Sequence, residues 1–270
     1  MRQTFKTPIV GCVNQKGGVG KSTLTTLLAN IFYFQKDLSV AIIDADFPQQ
    51  TIFKRRGENA AYIRSKPWLK ELSEQMYAKR PPIQIFAIQP HEVEATIQSI
   101  QEHFDIIFLD IAGTLNQVDI QATLWHINYF FIPVLQDEDS FKSTKDFYKL
   151  AAKSIFPHST AFKACHFVLN KLPPNNKEAK YRKKIAKLGG TTLQNNLYNN
   201  VVYERTFRST LLPIPTPNEK KMHFRQILRL HALADEIYTI CFDTTEEKIN
   251  PPLLQTIPTA RANVIGHVAP

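Results

Sequence analysis

The sequence predicts a single α/β domain with a mainly parallel, helix-flanked sheet, and three observations carry that prediction. Apolar runs of strand length alternate with segments of helical periodicity, the pattern of repeated strand–helix–strand units. Three of the runs end in a glycine-rich loop or in aspartate, and the carboxyl ends of neighbouring parallel strands are where an α/β sheet binds ligands. With 270 residues, 43% of them hydrophobic and 21% charged, the chain has enough apolar material for a full core. Length alone allows one large domain or two small ones. The alternation favours one, placed at residues 1–242, with a Pro-containing, mostly irregular tail at 243–270.

The first element is the run Pro8-Ile9-Val10-Gly11-Cys12-Val13, read as a buried strand. From Ser22 to Phe34, Leu24, Leu27, Leu28, Ile31 and Phe32 recur at helical spacing. Between them stands Asn14-Gln15-Lys16-Gly17-Gly18-Val19-Gly20-Lys21-Ser22-Thr23, a phosphate-binding loop that follows a strand and opens a helix, as such a loop must. Glycines let the backbone wrap a phosphate with successive N–H groups facing it. The helix N-terminus adds partial positive charge and Lys21 a full one. Gly17, Gly18, Val19, Gly20, Lys21, Ser22 and Thr23 are therefore the candidate nucleotide-binding residues, with Ser22 placed to ligate magnesium. The standard pattern G-x-x-x-x-G-K-[ST] fails at its first glycine, where Gln15 stands, and the loop instead has a lysine, Lys16, at its entrance.

The next strand, Leu38 to Ile43, runs into Asp44-Ala45-Asp46-Phe47-Pro48-Gln49-Gln50. Another, Phe104 to Leu109, closes on Asp110, the pattern of a strand whose carboxylate holds magnesium directly or through water. Alone, an aspartate after an apolar run is an ordinary turn residue; beside the phosphate loop, Asp110 becomes a candidate for the metal side. Tyr129 to Leu135 and Ala161 to Leu169 read as two further buried strands, the latter ending in Asn170-Lys171. Residues 177–187 form a basic helical segment, Leu212 to Pro217 a stiff proline-rich connector, and Lys220 to Phe242 a helix. In that helix Ile227, Leu230, Leu233, Ala234, Ile237 and Ile240 make an apolar face.

The lysine-first loop resembles the deviant Walker A motif of the ParA/MinD ATPase family, and Asp44 to Gln49 resembles that family's D-x-D-P-Q motif with Phe47 inserted. The resemblance implies a P-loop NTPase domain with ATP and Mg2+ as cofactors, slow Mg-dependent hydrolysis and an ATP-dependent homodimer. It implies that Lys16 reaches across the dimer to the other subunit's nucleotide and that Lys16 and Lys21 neutralise the transferring phosphate. Asp46 would orient the attacking water, Asp44 and Asp110 would lie with Ser22 on the metal side, and Asn170 would contact adenine beside the 212–217 connector. Two departures stand out: Phe47, and Ile111-Ala112-Gly113-Thr114 in place of a proline-bearing switch segment.

Cys12, Cys165 and Cys241 are widely spaced and show no metal pattern, as in a reducing compartment. That argues against the iron–sulfur relatives of this loop. Neither a hydrophobic leader nor a run of membrane-spanning length is visible, and the tail shows no basic amphipathic stripe, so a cytoplasmic protein without a membrane partner is expected.

Charge is regional. Residues 142–240 hold 18 Lys+Arg against 6 Asp+Glu, net +12, and the remainder holds 15 against 18, net −3, giving +9 for the chain. A surface of that sign attracts a phosphate backbone in a salt-sensitive, sequence-independent way; by itself such a stretch is as readily a solvated face. The resemblance favours nonspecific DNA, with Lys183, Lys184, Arg205, Arg208 and Arg225 as candidate contacts. It implies a role in partition or maintenance of a plasmid, chromosome or mobile element, with hydrolysis stimulated by a ParB-like or other protein partner. Two alternatives stay open: a nucleotide-gated protein-positioning ATPase that never touches DNA, and a P-loop metabolic ligase.

Overall fold

A computed structural model describes residues 7–78, 80–113, 118–205, 208–217 and 223–243, with backbone alone for 118–120. The chain runs β1 (Ile9–Cys12), α1 (Lys21–Phe34), β2 (Val40–Ala45), α2 (Thr51–Arg64), α3 (Pro67–Tyr77), β3 (Gln84–Ala87), α4 (Val93–Ile100), β4 (Ile106–Ile111) and α5 (Val118–Leu124). It continues with β5 (Tyr129–Val134), α6 (Glu138–Ser154), β6 (Ala164–Leu169), α7 (Glu178–Ala186), β7 (Thr191–Thr192), α8 (Val201–Arg205) and α9 (Phe224–Phe242). The seven strands form one sheet in the order β3-β2-β4-β1-β5-β6-β7, and every pairing is parallel. The expected α/β domain is therefore present, and its sheet is wholly rather than mainly parallel among the described residues.

β1, β2, β4 and β5 are buried along their whole length, because helices cover both faces, which is why they read as unbroken apolar runs. Alternate residues sort into two cores. Val10, Cys12, Val40, Ile42, Ile106 and Phe108 pack with α1 and α9, while Ile9, Ala41, Ile43, Ile107 and Leu109 pack with α4, α6 and α7 on the other face. Since side chains alternate, Asp44 and Asp110 continue the Val40–Ile42 and Ile106–Phe108 series and point to the α1 side. They are direct neighbours in register.

The path of the chain also selects a site. From β1 it crosses over β4 to β2 and returns through β3 to β4, then passes to β5 on the opposite side of β1. That reversal beside β1 and β4 is a topological switch point, where the carboxyl ends of the strands open a crevice.

Several boundaries differ from the sequence reading. The second strand is shifted to Val40–Ala45, so Asp44 lies within it, and the strand expected from Ala161 starts at Ala164 after Asn128 accepts the N–H groups of Lys163 and Ala164. β3 and β7 had no counterpart in the reading: both are sheet-edge strands, one half-buried and following two prolines, the other two residues long. The last helix begins at Phe224, and Ile227, Leu230, Leu233, Ala234 and Ile237 are buried as expected, with Ile240 partly so. Residues 220–222, Thr114 and the tail from 244 lie outside the described residues.

Candidate functional site

The phosphate loop spans the gap between β1 and α1 and is braced from both sides. Asn14 is buried; its Nδ2 donates to the Pro133 carbonyl and to Thr144 Oγ1, each at 2.8 Å, and its Oδ1 accepts the Lys16 N–H at 3.0 Å. At the far end Asn170 Nδ2 donates to the Val19 carbonyl at 2.8 Å. Gly20 sits against that amide with φ 95°, and a Cβ there would come within 2.6 Å of Asn170 Nδ2, so both conformation and space require glycine. The residue Asn170, expected at adenine, is thus engaged with the loop itself. Gln15, Lys16, Gly17 and Gly18 are exposed, Val19 is buried, and Gly20 through Thr23 are half-buried.

The segment after β4 closes against this loop. A Cβ on Gly113 would lie 2.8 Å from the Gln15 carbonyl and 3.1 Å from Lys21 Nζ, so the departure Ile111-Ala112-Gly113 leaves just enough room for the lysine.

The carboxylates converge on the same end of the sheet. Asp44 is buried, and its Oδ2 accepts the N–H groups of Ile52 at 3.0 Å and Phe53 at 2.9 Å in the first turn of α2. Its Oδ1 and both oxygens of the buried Asp110 have no well-formed hydrogen bond. Burial pushes the Asp110 carboxyl up to about 7; Asp44 and Asp46 push the same way, while the nearby Ser22 hydroxyl and Lys21 oppose them. Burial likewise raises Asp46 against the pull of Lys21, and lowers Lys21 against the pull of Asp110 and Asp46. The inserted Phe47 is half-exposed, and Asp46 still lies within electrostatic reach of Lys21.

These features fit a magnesium–nucleotide. A glycine-rich cradle with a half-buried lysine suits phosphate, and unpaired buried carboxylate oxygens beside a serine hydroxyl suit a hard cation. Among the described residues no three His, Cys, Asp or Glu side chains form a metal cage. Magnesium does not need one, since it keeps waters and is held by one or two protein ligands together with phosphate.

A cleft beside the first turn of α1 is lined by Thr23, Asn170, Lys171, Asn200, Tyr203 and Glu204, with Lys171 and Glu204 ion-paired at 2.7 Å. The 212–217 connector does not line this cleft. It lies along α1 and α9, where Gln35 Nε2 donates to the Ile214 carbonyl and His231 bonds the Pro215 carbonyl.

The basic candidates separate. Lys183, Arg205 and Arg225 are exposed. Lys184 and Lys180 both bind Glu138, at 2.5 and 2.9 Å, and these bonds hold the Glu138 carboxyl down at about 2. Arg208 is half-buried and within electrostatic reach of Arg55, Asp110, Glu204 and Asp44. Asn30 and Glu204, which had no place among the sequence candidates, join distant segments through a buried amide and an ion pair.

Residues 10–208 match the family described as the CobQ/CobB/MinD/ParA nucleotide binding domain. The chain belongs to this family. Its fold is shared by ParA/MinD-type proteins of known structure. One is a plasmid partition protein from Borrelia burgdorferi bound to AMPPNP, with 17% identity, coverage of 84% of this chain and 99% of the other, and a TM-score of 0.57. A ParA family ATPase from Chlorobium tepidum has 14% identity over 85% and 98% of the two chains and a TM-score of 0.58. The septum site-determining protein MinD from Pyrococcus horikoshii, complexed with Mg-ADP, has 15% identity over 87% and 98% and a TM-score of 0.55. No curated protein sequence gave a significant match. No helix among the described residues is long and apolar enough to cross a membrane.

Proposed function

We propose that this ParA/MinD-family chain is a cytoplasmic ATP-dependent dimerisation switch that binds nonspecific DNA and hydrolyses ATP slowly. The observation that supports this best is one arrangement: Lys21 facing Asp46 and Asp110 at the mouth of a lysine-first phosphate loop, with Lys16 free on the surface above it. In this reading Gly17 to Thr23 bind the phosphates, and Lys16 and Lys21 offset their charge. Asp46 orients water for in-line attack. Ser22, Asp110 and the free oxygen of Asp44 would hold Mg2+, which when bound neutralises charge on the phosphate chain. The exposed Lys16 supports a role in trans, reaching the nucleotide of a second copy. Asn170 bonds the loop, which supports a role in shaping the phosphate cradle as well as in contacting the base.

Bound nucleotide would join two copies, the pair would hold DNA through Lys183, Arg205 and Arg225, and hydrolysis stimulated by a ParB-like or other partner would release it. Partition or maintenance of a plasmid, chromosome or mobile element is the role this cycle serves. The test is size analysis with Mg-ATP. Lys21→Ala should bind no ATP, and Asp46→Ala should bind ATP and accumulate as a dimer. An Asp46→Ala protein that binds ATP yet stays monomeric sinks the mechanism. The second reading, a protein-positioning switch, is favoured by one observation: Lys184 and Lys180 are already paired to Glu138, which lowers the free charge of the basic face.

A further inference from the structure

We propose that Arg208, with Arg55 of α2 facing it, belongs to the nucleotide site and takes up negative charge of the bound phosphate chain beside Asp44 and Asp110. This deepens the proposed function and rests on it.

Asn30 is a fully buried residue of α1. Its Nδ2 donates to the carbonyls of Ser209 at 2.7 Å and Leu212 at 2.8 Å, and its Oδ1 accepts the Ile214 N–H at 3.0 Å. The Tyr77 hydroxyl donates to the Leu211 carbonyl at 2.6 Å. Four hydrogen bonds therefore hold the segment that follows Arg208 against α1 and α3. Arg208 enters this anchored stretch next to the helix that the phosphate loop opens.

At the start of this anchored stretch the Arg208 side chain is half-buried. Arg208 Nε is closed off from solvent and has no hydrogen-bond partner, and among the described residues no carboxylate lies within ion-pair distance of the side chain. The charges it feels are those of Arg55, Asp110, Glu204 and Asp44, in that order, and both burial and Arg55 act against its own charge. A half-buried guanidinium beside a second one is costly unless an anion joins them.

The neighbouring carboxylates are not that anion. Neither Asp110 nor Asp44 Oδ1 has a well-formed hydrogen bond although Arg208 is within electrostatic reach, so the arginine does not neutralise them at contact distance. Among the described residues Arg55 is held only by the exposed Glu58 of its own helix, at 3.4 Å, so what completes both halves is a cation on the carboxylates and an oxyanion on the arginines. A nucleotide phosphate chain with its divalent metal supplies both at once, and the guanidinium fork is the side chain best shaped for phosphate oxygens. A residue meant for duplex DNA would instead present its charge outward, as Lys183, Arg205 and Arg225 do.

The experiment measures affinity for a fluorescent ATP analogue with Mg2+, and retention on nonspecific duplex at saturating ATP, for the full-length wild type, Arg208→Ala, Arg208→Lys and Arg55→Gln. Loss of a charge-assisted phosphate contact should weaken nucleotide affinity about tenfold or more in Arg208→Ala and several-fold in Arg55→Gln, with Arg208→Lys in between. Duplex retention at saturating ATP should stay at the wild-type level. Nucleotide affinity within about twofold of wild type in the arginine variants overturns the assignment; reduced duplex retention with it would return Arg208 to the DNA surface. If Arg208→Ala does not fold, Arg208→Lys and the half-exposed Arg55→Gln decide by the same criterion. A wild type that binds no nucleotide fails the proposed function itself, and the arginine assignment falls with it.

Discussion

Asp110 is a residue whose burial costs stability. It lies near the end of β4 with no exposure and no well-formed hydrogen bond, and burial raises its carboxyl to about 7 rather than 3.8. The folded chain then holds the proton more tightly than the unfolded chain. Stability contributed at low pH is lost as pH rises from about 4 towards 7 and beyond. Asp44 and Asp46 are raised by burial and act in the same direction. Thermal melts without metal or nucleotide should therefore fall across that window, and Asp110→Asn should flatten the profile and add a few kcal/mol at alkaline pH. A wild-type profile that rises through the window contradicts the assignment. The aspartates were legible in the sequence because each ends an apolar run. The half-burial of Arg208 was not, since a run of basic residues carries no information about which of them precedes a segment anchored by a side chain as remote as Asn30.

At the level of elements, placement depends on a few buried amides as much as on apolar packing. Asn14 ties the loop to β5 and α6, Asn170 ties it to β6, and Asn30 ties residues 209–214 to α1. Each satisfies backbone groups that secondary structure leaves unpaired. Asn30→Ala would strand three of them and should cost about 2–4 kcal/mol in denaturant unfolding, well above an ordinary surface change. A cost near zero would show that the 209–214 segment finds other partners. The strands that bear the site were readable from their unbroken apolar runs, as was α9 from its stripe. β3 and β7 escaped for a physical reason: edge strands need less apolar surface, and β7 is too short to show a period. The brace from Asn170 also escaped, because a polar residue at a strand end looks the same whether it faces a base, a loop or water.

For the whole molecule, the switch point beside β1 brings four separate sequence motifs to one crevice: the Lys16–Thr23 loop, Asp44 with Asp46, Asp110 with Gly113, and the end of β6. Charge is divided between buried carboxylates, Asp44 and Asp110, and exposed cations, Lys183, Arg205 and Arg225, of the basic stretch 142–240. Such a division suits a switch whose nucleotide state is read elsewhere on the surface. Its most direct test is retention of the purified protein on nonspecific duplex DNA with ATP, with ADP and with no nucleotide, over a salt series. The account predicts retention with ATP alone, lost in Lys21→Ala, weakening steeply with salt and weakened further by charge reversal at Lys183. Intact ATP binding with no retention under any nucleotide would contradict it and turn the reading towards a protein-positioning switch.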